Sequence, residues 1–334
     1  MLRGAIIGFG EVARHGHWPA YAASRDAKIV AIVDLAKERR EIAKRLSPAL
    51  RVFASFEEIS DSLALDFVDI CTPPAFHGDS ILKALERGFH VLCEKPLLVD
   101  PNEFDLVRER SKESGQGVLP VHNWKYAPII RRASEELRSG AIGPLRAVEI
   151  ETMRVRDCTP ADPNRPNWRR DAAIAGGGIL MDHGWHAIYL ALHWFREKPI
   201  GSNASLHRPA PTAVEDEAAM TIKFPSGTAT IGLTWNGDSR RNIMRLIGER
   251  GKIGIDDDTL QIDSKVIRFD EPLSRGSYHA DWFAAMLPDV MASFHDSGIA
   301  KAAFEEAALC LSLIQQAYRA GPELIANHAI KNPS

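Results

Sequence analysis

The chain has 334 residues, of which 45% are hydrophobic and 25% charged, and its formal net charge is -3 at pH 7. This length allows two domains of ordinary size, and the composition is typical of a globular protein. A charge so close to neutral gives no electrostatic reason to expect a nucleic acid or an anionic membrane as a partner. No apolar run approaches the roughly 20 residues of a membrane span, and no secretory signal is visible, so we expect a cytoplasmic protein. Four widely spaced cysteines are expected to be buried free thiols rather than disulfides or metal ligands: Cys71, Cys93, Cys158 and Cys310.

The first part of the chain alternates short apolar segments, typical of buried strands, with amphipathic or charged segments, typical of helices. One of these helices has clear start and stop signals, with Asp100 and Pro101 before it and Gly115 after it. Strands separated by helices of this length indicate an α/β fold with a doubly wound parallel sheet, which we place at residues 1–122. The apolar segments begin near residues 2, 27, 51, 65, 89 and 116.

A glycine-rich turn between the first strand and the first helix predicts a dinucleotide site. Gly8-x-Gly10-x-x-Ala13 has the required spacing, and Asp34 follows about 20 residues later, at the end of the second strand. Gly8 permits the turn, Gly10 lets the backbone approach a pyrophosphate, and Ala13 lets helix and strand pack closely. The helix N-terminus supplies N–H groups for the phosphates. The alternative interpretation is an ordinary strand–turn–helix with a surface aspartate.

The residues around Asp34 favour NAD over NADP. A carboxylate accepts hydrogen bonds from the ribose hydroxyls and repels a 2′-phosphate. Arg39 and Arg40 lie further along the next helix and are the side chains that could reach such a phosphate.

From about residue 144 the pattern changes to short alternating segments separated by turns. Such segments predict an open, mostly antiparallel sheet with one face packed and the other free to meet a partner. Helices are predicted at about 179–195, 278–295 and 299–320. We therefore place an α+β domain for substrate binding and oligomerisation at residues 123–334.

Two polar positions in the predicted helix near residue 180 suggest a reactive site. Three glycines, Gly176 to Gly178, precede it and would let its start approach a ligand. Asp182 and His186 are four residues apart and therefore share one helix face, whereas His183 points elsewhere. Asp182 could then orient the His186 imidazole or support its charge. The alternative is a structural histidine in a core helix.

A lysine stands at the carboxyl end of a buried strand, in Glu94-Lys95-Pro96. In an open parallel sheet, this edge is where ligands bind. Strand alternation sends the side chains of Glu94 and Lys95 to opposite sides. The alternative interpretation is a solvated pair at a strand end.

Five motifs in this order together resemble the Gfo/Idh/MocA family of oxidoreductases, which includes glucose–fructose oxidoreductase and inositol dehydrogenase. The resemblance runs over nearly the whole chain and implies a Rossmann domain followed by an open-sheet domain. The motifs are Gly8-Phe9-Gly10, Asp34, Thr72-Pro73-Pro74 with His77, Glu94-Lys95-Pro96, and Gly176-Gly177-Gly178 with Asp182-x-Gly184-x-His186. The resemblance implies that the cofactor contacts Gly8, Phe9, Gly10, Glu11, Val12, Asp34, Thr72, Pro73, His77, Glu94, Lys95 and Asn123.

The resemblance also implies a substrate site between the two domains. His186 is the expected general acid or base, Lys95 shares the proton transfer or polarises the reacting oxygen, and His183 is assigned to packing or to a neighbouring hydrogen bond. Trp168 could stack on a sugar face and Arg169 could bind hydroxyls or a carboxylate, unless they belong to a plain surface loop that begins at Asn164. Lys125 stands where an arginine is commoner in the family. The expected substrate contacts are Lys95, Lys125, Trp168, Arg169, Asp182 and His186, with Lys95, Asp182 and His186 as the catalytic residues.

We therefore expect an NAD-dependent dehydrogenase that acts on a CH–OH group of a sugar, inositol or related polyol. No metal ion is expected, because the histidines are scattered. The resemblance implies a homodimer or homotetramer formed through the C-terminal sheet. Two alternatives stay open: an NAD-using glycoside hydrolase of related fold, and a non-catalytic dinucleotide-binding regulator.

Overall fold

The structure is a computed structural model that describes residues 1–157, 167–276 and 278–320. Its first sheet has six parallel strands in the order β3-β2-β1-β4-β5-β6, which is the doubly wound order of dinucleotide-binding folds. The predicted parallel sheet is thus confirmed. The strands are β1 (Leu2–Ile7), β2 (Ala27–Val33), β3 (Arg51–Phe53), β4 (Phe67–Ile70), β5 (His90–Cys93) and β6 (Val118–Pro120).

Helices connect these strands, and the best-marked of them begins and ends where the sequence predicts. The Asp100 side chain accepts a hydrogen bond from the N–H of Asn102, Pro101 is the first helical residue, and Gly115 ends the helix with φ 73°. A π-helical segment, Ala13–His17, leads into the first α-helix. The helices are α1 (Trp18–Ala23), α2 (Lys37–Leu46), α3 (His77–Glu86) and α4 (Pro101–Ser114).

The second sheet has eight strands in the order β14-β13-β12-β11-β7-β10-β9-β8. The pairing of β7 with β10 is parallel and the other pairings in this order are antiparallel, as expected of a mostly antiparallel sheet. The strands are β7 (Leu145–Met153), β8 (Gly201–His207), β9 (Glu217–Lys223), β10 (Thr228–Thr234), β11 (Arg241–Gly248), β12 (Lys252–Asp256), β13 (Thr259–Ile262) and β14 (Lys265–Arg268).

Helices cover one face of the second sheet and join it to the first. The longest helix, α9, packs against both β6 and β8, and therefore ties the two sheets together. A second π-helical segment, Leu180–Gly184, leads into the almost wholly buried α7. None of the described helices is long and apolar enough to cross a membrane. These helices are α5 (Pro128–Arg138), α6 (Ala172–Ala175), α7 (Trp185–Phe195), α8 (Ala280–Ser293) and α9 (Ser297–Arg319).

The core of the protein contains three of the four cysteines. Cys71, Cys93 and Cys310 are buried free thiols, as the sequence predicts, and Cys158 lies outside the described residues. The buried side chains are otherwise mainly aliphatic and aromatic, and the largest fully buried ones are Trp185 and Tyr189 of α7.

The free face of the second sheet is polar. Ile150 and Met244 point into the core, whereas Glu149, Glu151 and Arg245 lie on the opposite face of β7 and β11. There Arg245 contacts both carboxylates, at 3.0 Å and 3.5 Å. This face is therefore not a broad apolar surface, because the outward positions of these strands carry charged residues.

Candidate active site

The glycine-rich turn is shaped by two close approaches of backbone. Gly8 adopts φ +88°, a left-handed conformation, and a Cβ there would lie 3.0 Å from the carbonyl of Cys71. At Gly10 the nearest atom to a Cβ would be 3.9 Å away, so the turn leaves room for a ligand beside it. The first-turn N–H groups of Glu11 and Val12 have no acceptor within the helix that they begin. The turn therefore fits a phosphate group.

Asp34 is held beside this turn. Its carboxylate accepts hydrogen bonds from the backbone N–H groups of Phe9, at 2.7 Å, and Ala36, at 2.8 Å. Arg39 Nη1 lies 3.5 Å from the same carboxylate. Arg40 instead donates to the backbone carbonyl of Asp34, at 2.8 Å. The position thus combines a fixed carboxylate with one nearby guanidinium.

His77 supports the loops of the site rather than lining it. The ring is fully buried, Nε2 lies 2.8 Å from the carbonyl oxygen of Thr72, and Nδ1 lies 3.0 Å from that of Pro96. Burial lowers the pKa of His77. Both ring nitrogens face backbone carbonyls, so His77 offers no free ring nitrogen to a cofactor, and its expected contact with the cofactor stays a prediction. The hydroxyl of Thr72 is buried with no hydrogen-bond partner among the described residues, which leaves it available to a ligand.

Glu94 and Lys95 do point to opposite sides. Lys95 Nζ donates to Asp182 Oδ1 at 2.7 Å and to the backbone carbonyl of Asp182 at 2.8 Å. Glu94 turns the other way, towards His17. Burial opposes ionisation of Asp182, but the charges around it, Lys95 first, and the hydrogen bond from Lys95 together outweigh burial, and the pKa of Asp182 lies well below its usual range. The two sheets are thus joined by an ion pair at the carboxyl edge of β5.

Asp182 does not pair with His186. The segment Leu180–Gly184 is π-helical and leads directly into α7, where His186 lies, but each of the two side chains has a partner other than the other one. The Asp182 carboxylate contacts Lys95, whereas His186 Nδ1 lies 2.8 Å from the Tyr189 hydroxyl. The pairing of Asp182 with His186 expected from the sequence is therefore wrong.

His186 is a buried, neutral imidazole with one nitrogen open to a ligand. Its ring stacks on Trp124, with the centroids 4.7 Å apart, and Nε2 has no hydrogen-bond partner among the described residues. Burial, reinforced by the charge of Lys95, holds the pKa of His186 well below its usual value. The Tyr189 hydroxyl, which binds Nδ1, also accepts a hydrogen bond from the N–H of Trp124, at 3.1 Å.

His183 lies beside Asp182, in keeping with the second of its two expected roles, a neighbouring polar contact. Nδ1 of His183 lies 3.4 Å from Asp182 Oδ2, and its side chain is 14% exposed. Burial lowers the pKa of His183 to about 3, despite the attraction of Asp182, so the ring is neutral. His183 follows Asp182 directly in the chain, and its ring nitrogen is turned towards the Asp182 carboxylate.

Arg169 is next to the same carboxylate. Its Nε lies 4.0 Å from Asp182 Oδ2, and its guanidinium is stacked on Trp168, with the guanidinium carbon 4.2 Å from the ring centre. Nε is buried without a hydrogen-bond partner in the described part of the chain. The residues from Asn164 to Pro166, at the start of this loop, lie outside the described residues.

Lys125 pairs with Glu306, a residue that the sequence analysis did not single out. Its ammonium forms a close ion pair with Glu306 of α9, which also lies 2.8 Å from His122 Nδ1. Burial opposes ionisation of Glu306, but Lys125 and His122 together lower the pKa of Glu306 to about 2. Lys125 therefore anchors α9, and this ion pair does not support the expected contact with the substrate.

The three glycines are required by packing against protein. A Cβ at Gly177 would lie 1.9 Å from the Tyr318 hydroxyl, and one at Gly178 would lie 2.0 Å from the carbonyl oxygen of Glu215. The Glu215 carboxylate accepts hydrogen bonds from the N–H of Gly178 and from the Tyr318 hydroxyl, at 2.9 Å and 2.8 Å. We expected the glycines to admit a ligand, and that expectation is corrected.

One buried polar cluster near the site was not predicted. His17, Asp69 and Cys71 bring a ring nitrogen, a carboxylate and a thiol within 4.8 Å of one another. No sequence signal marks this cluster, because His17, at the end of the segment Ala13–His17, meets Asp69 and Cys71 only in the folded protein.

Comparison with known proteins identifies the family. The NAD-binding Rossmann-fold model of the GFO/IDH/MocA oxidoreductase family matches residues 2–122, and the C-terminal domain model of the family matches residues 130–254. The chain is 27% identical over 251 residues to Oxidoreductase P35 of Formosa agariphila, covering 74% of this chain and 77% of that protein. It is 26% identical over 254 residues to the D-glucoside 3-dehydrogenase of Escherichia coli, covering 70% and 69%.

Among solved structures, the fold is similar to that of an oxidoreductase from Agrobacterium radiobacter in complex with NAD+, L-tartaric acid and magnesium. The TM-score is 0.81 at 18% sequence identity, and the match covers 95% of each chain. With both family models matched in order along the chain, the protein belongs to the GFO/IDH/MocA family of NAD(P)-dependent oxidoreductases, as its motifs predicted.

Proposed function

We propose that this oxidoreductase oxidises a secondary hydroxyl of a sugar, inositol or related polyol and that NAD is the hydride acceptor. The observation that carries the proposal is the Lys95–Asp182 ion pair next to the open Nε2 of the neutral His186. An ammonium donor and a neutral imidazole at one sheet edge are the groups that alcohol oxidation requires. The glucoside dehydrogenase among its relatives supports a sugar as the substrate.

NAD is proposed to bind at the turn that follows β1. Gly10 leaves room for the pyrophosphate, the N–H groups of Glu11 and Val12 face it, and Asp34 accepts the ribose hydroxyls. Thr72, Pro73, Glu94 and Asn123 would contact the nicotinamide half. When bound, the nicotinamide ring supplies a hydride acceptor.

Proton transfer is assigned to His186. In the proposed reaction, the substrate O–H bond breaks and its proton passes to His186 Nε2, while the carbinol C–H bond breaks and hydride leaves the carbon, so that a carbonyl forms. The Lys95 ammonium donates a hydrogen bond to the reacting oxygen and stabilises its developing negative charge. Asp182 keeps Lys95 in place. Because His183 is neutral, the negative charge of Asp182 is balanced by the cations Lys95 and Arg169.

The Trp168–Arg169 stack is proposed as the platform for the sugar ring. Tryptophan faces pack against the C–H surface of a sugar, and the guanidinium offers several donors to hydroxyl groups. The stack is held near the reacting pair because Arg169 lies 4.0 Å from Asp182.

Assembly is proposed to use the free face of the second sheet. Charged pairs such as Glu149–Arg245 lie there, 3.0 Å apart. A homodimer or homotetramer of this kind would be joined by polar contacts across the interface, since the outward residues are charged.

The test is a panel of aldoses, inositols and alkyl glucosides, each incubated with NAD or NADP while the absorbance of the reduced cofactor is followed. We expect reduced NAD to accumulate with at least one compound and Lys95→Met to abolish the signal. Lys44→Met, which removes an exposed lysine of α2, is the matched control and should behave as the wild type. Cleavage of a glycoside without net reduction of NAD would support the hydrolase instead. Cofactor binding without turnover of any compound would support the regulator.

A further inference from the structure

His17 lies between two carboxylates beneath the candidate active site. Its Nδ1 is 2.7 Å from Asp69 Oδ2 and its Nε2 is 2.9 Å from Glu94 Oε1. The His17 ring is 2% exposed, Asp69 is fully buried, and the Glu94 side chain is 12% exposed. The ring is also stacked on Phe283 of α8, with the centroids 3.9 Å apart. The imidazole is therefore fixed on both edges and on one face.

The two contacts determine the protonation state of the ring. An ionised carboxylate only accepts hydrogen bonds, so each ring nitrogen of His17 must donate one. An imidazole that donates from both nitrogens is the cationic form. A cation here also offsets the two negative charges of Asp69 and Glu94, whose burial together would otherwise be costly.

The other polar groups around the ring are compatible with this state. Cys71 Sγ lies 3.3 Å from His17 Nδ1 and 3.6 Å from Asp69 Oδ1, so the thiol can donate to Asp69. Burial raises the pKa of the Cys71 thiol, which keeps it neutral. The Tyr21 hydroxyl of α1 is also buried and has no hydrogen-bond partner among the described residues, and burial raises the pKa of the nearby Cys93 thiol. Burial alone would lower the pKa of His17, but the interactions with Asp69 and Cys71 together outweigh burial and hold that pKa well above its usual value.

Glu94 connects this cluster to the reacting groups. Its Oε1 binds His17 and its Oε2 accepts a hydrogen bond from the backbone N–H of Lys95, at 3.0 Å. Both carboxylate oxygens are thereby fixed. Without a cation at His17, the Glu94 carboxylate would be free to turn and to compete with Asp182 for the Lys95 ammonium.

We propose that His17 is a positioning residue, held as an imidazolium between Asp69 and Glu94, and that it fixes Glu94 where the nicotinamide end of the cofactor binds. The proposal rests on the proposed function, because fixing Glu94 matters only if Glu94 contacts the cofactor. His17 touches neither substrate nor cofactor and acts through Glu94.

The protonation state can be measured directly on the wild-type protein. Long-range proton–nitrogen correlation spectra of protein labelled with nitrogen-15 in its histidines distinguish an imidazolium from both neutral tautomers. At about pH 8 an ordinary histidine, with a pKa near 6.5, is neutral. We expect the His17 signal to be that of an imidazolium at this pH. The signal is assigned from its loss in His17→Gln or, if that variant does not fold, from its shift in Asp69→Asn.

The positioning role is tested by the dissociation constant for NADH and by kcat. His17→Gln keeps a donor but removes the charge, and we expect NADH to bind about tenfold more weakly, the effect of weakening one charge-assisted hydrogen bond. Cys71→Ala is the matched control, since it alters the same buried cluster without touching Glu94. We expect Cys71→Ala to bind NADH as the wild type does, so that a general disturbance of the core is separated from the loss of the His17–Glu94 contact.

Three results would overturn the proposal. The first is a neutral His17 at about pH 8. The second is a stoichiometric metal ion found by elemental analysis, since a metal on Nδ1, Asp69 and Cys71 would displace the proton. The third is unchanged NADH binding in His17→Gln while the wild type binds normally. A wild type that binds no nicotinamide cofactor would instead overturn the proposed function, and the positioning role with it, whereas the spectra would still report the charge of His17.

Discussion

Removal of the charge of Asp182 probes the ion pair at the centre of the site. Asp182→Asn keeps the shape of the side chain and one acceptor for Lys95 but replaces an ion pair of 2.7 Å with an uncharged partner. The side chains are only 16% and 20% exposed, so water screens the lost interaction weakly. A hydrogen bond to a charged partner contributes about 1.5–3 kcal/mol and a neutral one about 1 kcal/mol. The difference of about 0.5–2 kcal/mol corresponds to a fall of roughly 2- to 30-fold in kcat/KM.

The assay is steady-state oxidation of the substrate identified by the panel, with NADH dissociation constants measured in parallel. We expect kcat/KM to fall and NADH binding to change little, because Asp182 lies on the substrate side. Asp79→Asn, which removes an exposed carboxylate of α3, is the control. Unchanged kcat/KM in Asp182→Asn, or an equal loss in the control, would refute the proposed role of the Lys95–Asp182 pair.

The remaining predictions concern the proton acceptor, the cofactor, the glycine turn and assembly. His186→Ala should lower turnover by roughly 100- to 10,000-fold with NADH affinity unchanged. Because burial lowers the pKa of His186, the wild-type rate should fall only at a pH below the usual histidine pKa. An acidic limb of the pH–rate profile at about pH 6.5 or above would contradict this. Asp34→Ala should weaken NAD binding more than NADP binding in fluorescence titrations, and equal losses would show that Arg39, not Asp34, sets the preference. Gly178→Ala should lower the melting temperature by calorimetry, because its Cβ would lie 2.0 Å from a backbone oxygen; an unchanged melting temperature would mean that the turn can relax. Light scattering should show a dimer or tetramer that Arg245→Glu weakens, and a strict monomer would exclude association through the sheet.

The features that depend on neighbouring residues could be predicted from the sequence. The turn at Gly8 and Gly10 requires only residues within one strand–turn–helix unit, and Asp34 follows at the end of the next strand. The end of α4 at Gly115 is likewise local, since a left-handed residue ends the helix wherever it occurs. The doubly wound sheet follows from the regular alternation of such units.

The features that depend on contacts between distant segments could not be predicted from the sequence. The partner of Asp182 is Lys95, which lies 87 residues away in the chain and meets Asp182 only when the fold brings the end of β5 to it. His77 looks like a ligand contact in the sequence, yet its two nitrogens are taken by the carbonyls of Thr72 and Pro96. The cation at His17 arises only where β4 and β5 bring two carboxylates to one ring.

The central claim is that hydride passes from a carbinol carbon of the substrate to NAD. The most direct test uses the active compound from the panel with deuterium at the oxidised carbon, followed by mass spectrometry of the reduced cofactor and of the product. The account predicts one deuterium in each molecule of reduced NAD, a carbonyl at the labelled carbon of the product, and a primary isotope effect on the rate of the chemical step. Reduced NAD without deuterium, or a product cleaved at its glycosidic bond with NAD unchanged in amount, would contradict it.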